Sequence, residues 1–103
     1  MARPARVRKV VDETAEVRCG KGRGLIREEV WQSENGEAVR YNLAFICHQL
    51  CALDHGRVLG YDNQHEHHHR HFMGQVTPFE YEAYDKLLAR FLAEVEALRG
   101  KTQ

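Results

Sequence analysis

The alternation of apolar and polar positions is clearest over residues 38–47. Val39, Tyr41, Leu43, Phe45 and Cys47 share one parity, and Ala38, Arg40, Asn42 and Ala44 the other. A period of two is the mark of a half-buried β-strand. Just before it stands Ser33-Glu34-Asn35-Gly36. Its Asn-Gly pair suits the positive φ that a tight hairpin turn needs at both central positions. Residues 25–32, ending near Trp31, therefore read as the partner strand. Residues 10–18 read as a first strand, with Val11, Glu13, Ala15 and Val17 on one side. Between them, Cys19-Gly20-Lys21-Gly22-Arg23-Gly24 is a basic turn. It is not a phosphate-binding P-loop, because no Gly-Lys-Ser/Thr follows and no helix begins. Asp54-His55-Gly56 is another turn, and residues 57–61 form a short strand around Val58 and Leu59.

The period then changes. Thr77 as N-cap, Pro78 at the first helical position and Glu80 closing a capping box predict a helix from residue 77. Tyr81, Tyr84, Leu88, Phe91, Val95 and Leu98 recur at three- and four-residue spacing, with Leu87 and Leu92 on the flanks of the stripe. Glu82, Asp85, Lys86, Arg90, Glu94 and Glu96 occupy the opposite face, and Gly100 is the stop signal. The expected fold is α+β: a small twisted antiparallel meander of three or four strands with one long C-terminal helix on one face. Residues 1–9 read as a flexible basic arm and residues 10–100 as a single domain. One face of the sheet is left over, to be solvated or to bind a partner.

Composition narrows the class. At 103 residues, 43% hydrophobic and 29% charged, the chain has the make-up of an ordinary globular domain. No apolar run is long enough to span a bilayer, and the basic start is not followed by the apolar segment of a signal peptide, so the expected compartment is the cytoplasm. Three cysteines, Cys19, Cys47 and Cys51, are an odd number, which argues against a disulfide framework and for core thiols. The net charge is zero, but residues 1–27 carry +5 and the remainder −5. That split suits a polyanion on one side and a basic partner on the other, or simply a solvated N-terminus.

The candidate chemistry is concentrated in residues 60–74, GYDNQHEHHHRHFMG, which hold five of the seven histidines. The stretch is expected to be a loop from Asp62 to about Gln75, long enough that a functional explanation is favoured. Alternating His65, His67, His69 and His71 would line one side of an extended backbone and bind zinc, nickel or copper adventitiously. Cys47, Cys51 and His55 match poorly as a second ligand segment. No cofactor is implied. Imidazole can also move a proton at neutral pH, and a guanidinium can hold a phosphate. His69-Arg70-His71 thus has the parts for metal-free cleavage of RNA through its own 2′-hydroxyl. An extended backbone would turn Arg70 away from the two histidines, so a bend is required. Asp62 reads either as a turn residue or as the carboxylate that orients a histidine, and Asn63 as a turn residue. Lys21 and Arg23 are candidates for an extended anion track.

A meander ending in Tyr61-Asp62-Asn63, a short spacer, then His68-His69-Arg70-His71 and a C-terminal helix resembles the TumE family of toxin–antitoxin proteins. The resemblance implies a small prokaryotic toxin encoded beside a helix-turn-helix antitoxin. Its matching positions are Asp62, Asn63, His69, Arg70 and His71, while His65 and His67 lie in the spacer. The chain departs from RelE-like ribonuclease toxins in lacking an N-terminal helical hairpin. The expected partners are the cognate antitoxin and RNA, with a homodimer left open and no membrane. The alternative is a non-catalytic protein- or nucleic-acid-binding domain.

Overall fold

Each alternating stretch becomes a strand and each tight turn a hairpin. The computed structural model describes residues 6–100. In chain order the strands are β1 (Val7–Cys19), β2 (Gly22–Ser33), β3 (Ala38–Ile46), β4 (Arg57–Asp62), β5 (His69–Phe72) and β6 (Gln75–Pro78), followed by the helix α1 (Tyr84–Arg99). All six strands lie in one antiparallel sheet in sequence order. The α+β meander and its C-terminal helix are as expected, but the sheet has six strands, not three or four. The additional pair, β5 and β6, comes from the stretch expected to be a loop. Met73 and Gly74, at φ of +50° and +85°, turn the chain back on itself there. The short strands pair because their polar side chains alternate between two surfaces instead of crowding into one. From the expected flexible arm, residues 7–9 join β1, and residues 1–5 lie outside the described residues.

Tyr41, Leu43 and Phe45 of β3 and Leu59 and Tyr61 of β4 form the buried side of the sheet. They pack against Leu87, Phe91 and Val95 of α1. Burying side chains of this size contributes about 1.5–3 kcal/mol each. The helix starts six residues later than the capping box predicts, at Tyr84 rather than Pro78. Thr77 and Pro78 belong to β6, an edge strand, where a residue without an N–H is tolerated. The stripe is also rotated: Leu87 lies in the core, while Leu92 is exposed.

Cys19 and Cys47 form a disulfide, and Cys51 is a buried free thiol. This corrects the expectation of three core thiols. Glycine is the reason the two meet: a Cβ on Gly24 would stand 2.6 Å from the Ile46 carbonyl oxygen and 3.4 Å from the Cys47 Cβ. Only a bare backbone lets the end of β3 cross β2 closely enough. Among the described residues no helix is long and apolar enough to cross a membrane.

Candidate active site on the open sheet face

Residues directly opposite in antiparallel strands share a face. The β4–β5 pairs are Leu59 with Phe72, Gly60 with His71, Tyr61 with Arg70, and Asp62 with His69. The His-His-Arg-His run is therefore divided. His68 and Arg70 turn towards α1, and His69 and His71 towards the open face.

On the helix side the groups bond to one another and to α1. Arg70 bonds Glu94 at 2.6 Å and the Tyr61 hydroxyl at 3.0 Å, and Tyr61 also donates to Glu94. His68 stacks on Tyr81 with centroids 4.4 Å apart, and its Nδ1 is 2.7 Å from the Tyr41 hydroxyl. Burial, reinforced by the neighbouring His67 and His69, lowers the His68 pKa, which favours the neutral ring. Burial likewise pushes the Tyr41 hydroxyl upward.

The open side holds a connected set. His71 Nε2 is 2.8 Å from Asp62 Oδ2, and Arg57 NH2 is 3.0 Å from His71 Nδ1. Arg57 Nε donates to Asp54 Oδ2 at 2.7 Å. Because a guanidinium can only donate, Nδ1 accepts and the ring proton sits on Nε2, where it is given to Asp62. Asp62 is 7% exposed, the one buried charged residue among those described. Gln64 N–H bonds its other oxygen at 3.3 Å. A buried carboxylate with both oxygens engaged fixes the ring in one tautomer and one orientation.

Two local devices bring Arg57 to this set. Strict alternation would place it with Leu59 and Tyr61 on the helix side. The register shift between Phe45 and Ile46, which pairs Ile46 with Arg57 and leaves Val58 extra, turns it to the open face. Bulges commonly re-aim side chains in this way. Gly60 then provides the path, since a Cβ there would lie 2.8 Å from Arg57 Cδ.

Of the residues singled out in the sequence, Asp62, His69 and His71 share the open face. His69 makes an edge contact with the His67 ring, with centroids 6.2 Å apart. Asn63 serves the backbone: its Oδ1 accepts from Tyr41 N–H at 3.0 Å and its Nδ2 donates to Val39 O at 2.9 Å. Lys21 and Arg23 lie at the β1–β2 turn, across the sheet from β5, and Arg23 is paired with Glu16. His65 sits in a tight turn at φ +61°, which breaks the alternating histidine row. Among the described residues no three His, Cys, Asp or Glu side chains gather as a metal would require. Asp54 and Arg57 read in the sequence only as turn and strand residues, because both precede the motif and only the bulge reveals the side to which Arg57 turns.

Elsewhere the open face carries a polar network. Lys9, Asp12, Thr14, Arg27, Glu29 and Asn42 interlink across β1, β2 and β3. Trp31 lies between Lys9 and Arg40, each 4.9 Å from its ring centroid.

A family model described as toxin TumE matches residues 6–99. No curated protein and no solved structure matches the chain.

Proposed function

This chain belongs to the TumE toxin family, and from that premise we propose that it is a toxin which cleaves RNA without metal at the open-face site. The observation that carries this reading is the Asp62–His71–Arg57 chain. Asp62 keeps the ring proton on Nε2, so the basic lone pair is on Nδ1. In the resting protein that lone pair is held by Arg57. A phosphodiester drawing the guanidinium to its own oxygens frees Nδ1 to take the proton of the adjacent 2′-hydroxyl. The 2′-oxygen then bonds to phosphorus and the 5′-oxygen leaves. His69 stands two residues along the same strand face, roughly 7 Å away by strand geometry. We assign to it the return of a proton to that leaving oxygen. Arg57 replaces Arg70 as the phosphate group's partner, because Glu94 holds Arg70 on the far side. Asp54 is more exposed than Asp62 and is the carboxylate that yields Arg57 to substrate. Membership of a toxin family implies an antitoxin partner, and a helix-turn-helix antitoxin is the form proposed here.

The test is induced expression of wild type and His71→Ala, following growth, total RNA integrity and the melting temperature of each purified protein. Wild type should arrest growth and fragment RNA, whereas a folded His71→Ala should do neither. Undiminished toxicity of that variant would sink the assignment. Arrest without fragments would favour the second reading, a non-catalytic binding domain. That reading draws on one feature: both His71 ring nitrogens already have protein partners.

A further inference from the structure

Beside His71 and Arg57 lies a cleft of about 480 Å³, lined by Leu53, Asp54, Arg57, His71, Gly74 and Val76. It is shallow and largely open, a shape that takes one face of a flat group rather than enclosing it. Leu53 and Val76 are the two most exposed large aliphatic side chains among the described residues, at 62% and 56%. Scattered exposed aliphatics are ordinary, but these two flank the same imidazole and guanidinium. Both are also held in place. Val76 is directly opposite His71 in the β5–β6 pairing and so stands on the same face. Leu53 lies along Gly74, where a Cβ would be 2.9 Å from Leu53 Cδ1 and 3.1 Å from its Cβ. Gly74 has a φ of +85°, so glycine serves both the turn and the wall of the cleft.

We propose that this cleft takes the flat face of one unpaired nucleobase, between Leu53 and Val76, with the adjoining phosphate at Arg57 and His71. The substrate class is then single-stranded RNA, and the inference rests on the RNA reading given above. Phosphate and ribose are polar and gain little from two aliphatic walls, whereas a base has an apolar face. In a duplex that face is stacked against its neighbours, so only an unpaired base can present it. The Asp54 carboxylate at the rim is an acceptor for the amino and imino N–H groups that bases carry. It therefore has a role once Arg57 turns to phosphate.

The probes are three fluorescent 2′-O-methyl RNAs, which cannot be cut through their own 2′-oxygen: a mixed-sequence single strand, a hairpin duplex, and the same single strand made abasic. Anisotropy titrations compare wild type with Leu53→Ser/Val76→Ser, after melting curves show that both are folded. Wild type should bind the intact single strand most tightly. The double variant should weaken that affinity about tenfold and leave the abasic strand unaffected. Equal losses on intact and abasic strands, or equal binding of duplex and single strand, would overturn the proposal. So would unchanged RNA affinity combined with lost neutralisation by the antitoxin, which would reassign both side chains to a protein contact. If wild type binds no probe and leaves cellular RNA intact, the RNA reading itself falls, and this inference with it.

Discussion

Glu29 is where the charge of the open face converges. Its carboxylate accepts from Lys9, from Arg27 Nε at 3.0 Å and from Asn42 Nδ2 at 3.0 Å. The Arg27 and Lys9 bonds hold its pKa down to about 2, against an ordinary 4.5. A carboxylate whose pKa is lowered by folding stabilises the fold above its unfolded pKa. That contribution is lost as pH falls towards the folded value. Wild type should therefore melt higher than Glu29→Gln near pH 6, and the gap should close between about pH 4.5 and 2. Thermal scans across that range measure it, and a gap independent of pH would refute the account. The same scale shows what could be read in advance. Asp62 and His71 were legible because a carboxylate and an imidazole in one short window suggest an orienting pair. Arg70 was legible as a cation, but its pairing was not, since its partner Glu94 is 24 residues away. Arg57 was hidden by the bulge that reverses its side.

At the scale of elements, the late start of α1 leaves an opportunity. Ala83 precedes the helix with φ −158° and ψ 153°, the extended geometry of an N-cap, yet it has no side chain to cap with. Its carbonyl already accepts from Leu87 N–H at 3.1 Å. Ala83→Ser should supply the missing acceptor and stabilise the protein by about 0.5–1 kcal/mol, read as a raised urea midpoint at constant slope. The capping box at Thr77 was persuasive locally and lost to tertiary pairing, because residues 75–78 complete a hairpin with β5. The β3 alternation suffered no such competition and forms a strand; the Asn35-Gly36 hairpin also forms, but with positive φ at Gly36 alone rather than at both residues of the pair. β5 and β6 were missed because four-residue strands rich in histidine carry almost no hydrophobic period.

Viewed as a whole, the molecule is long, 58 by 25 by 23 Å. β4 ends opposite Asn42, so residues 7–12, 29–33 and 38–41 run on as a three-stranded wing. At the opposite end, the Cys19–Cys47 disulfide ties the β1–β2 turn to the end of β3, closing a 28-residue separation. Loop-closure entropy for a span of that length predicts a contribution of about 3–4 kcal/mol. Urea unfolding with and without dithiothreitol should show that difference, and coincident curves would mean that the bond contributes nothing. Cysteine counting could not reveal it, because parity is silent about two of three.

The alternation along β5 has a genetic consequence. His68 and Arg70 pack under α1 while His69 and His71 face the open side, so the four codons are expected to form two interleaved texts under separate constraint. Inserting one codon among them would exchange the two readings at a stroke, since a strand slipped by one residue presents every side chain to the wrong surface. The spacer from Gln64 to His67 lies in a tight turn and its exit, where added length need not alter the phase. Drift in this gene should therefore accumulate as spacer length and composition, and halt abruptly at His68.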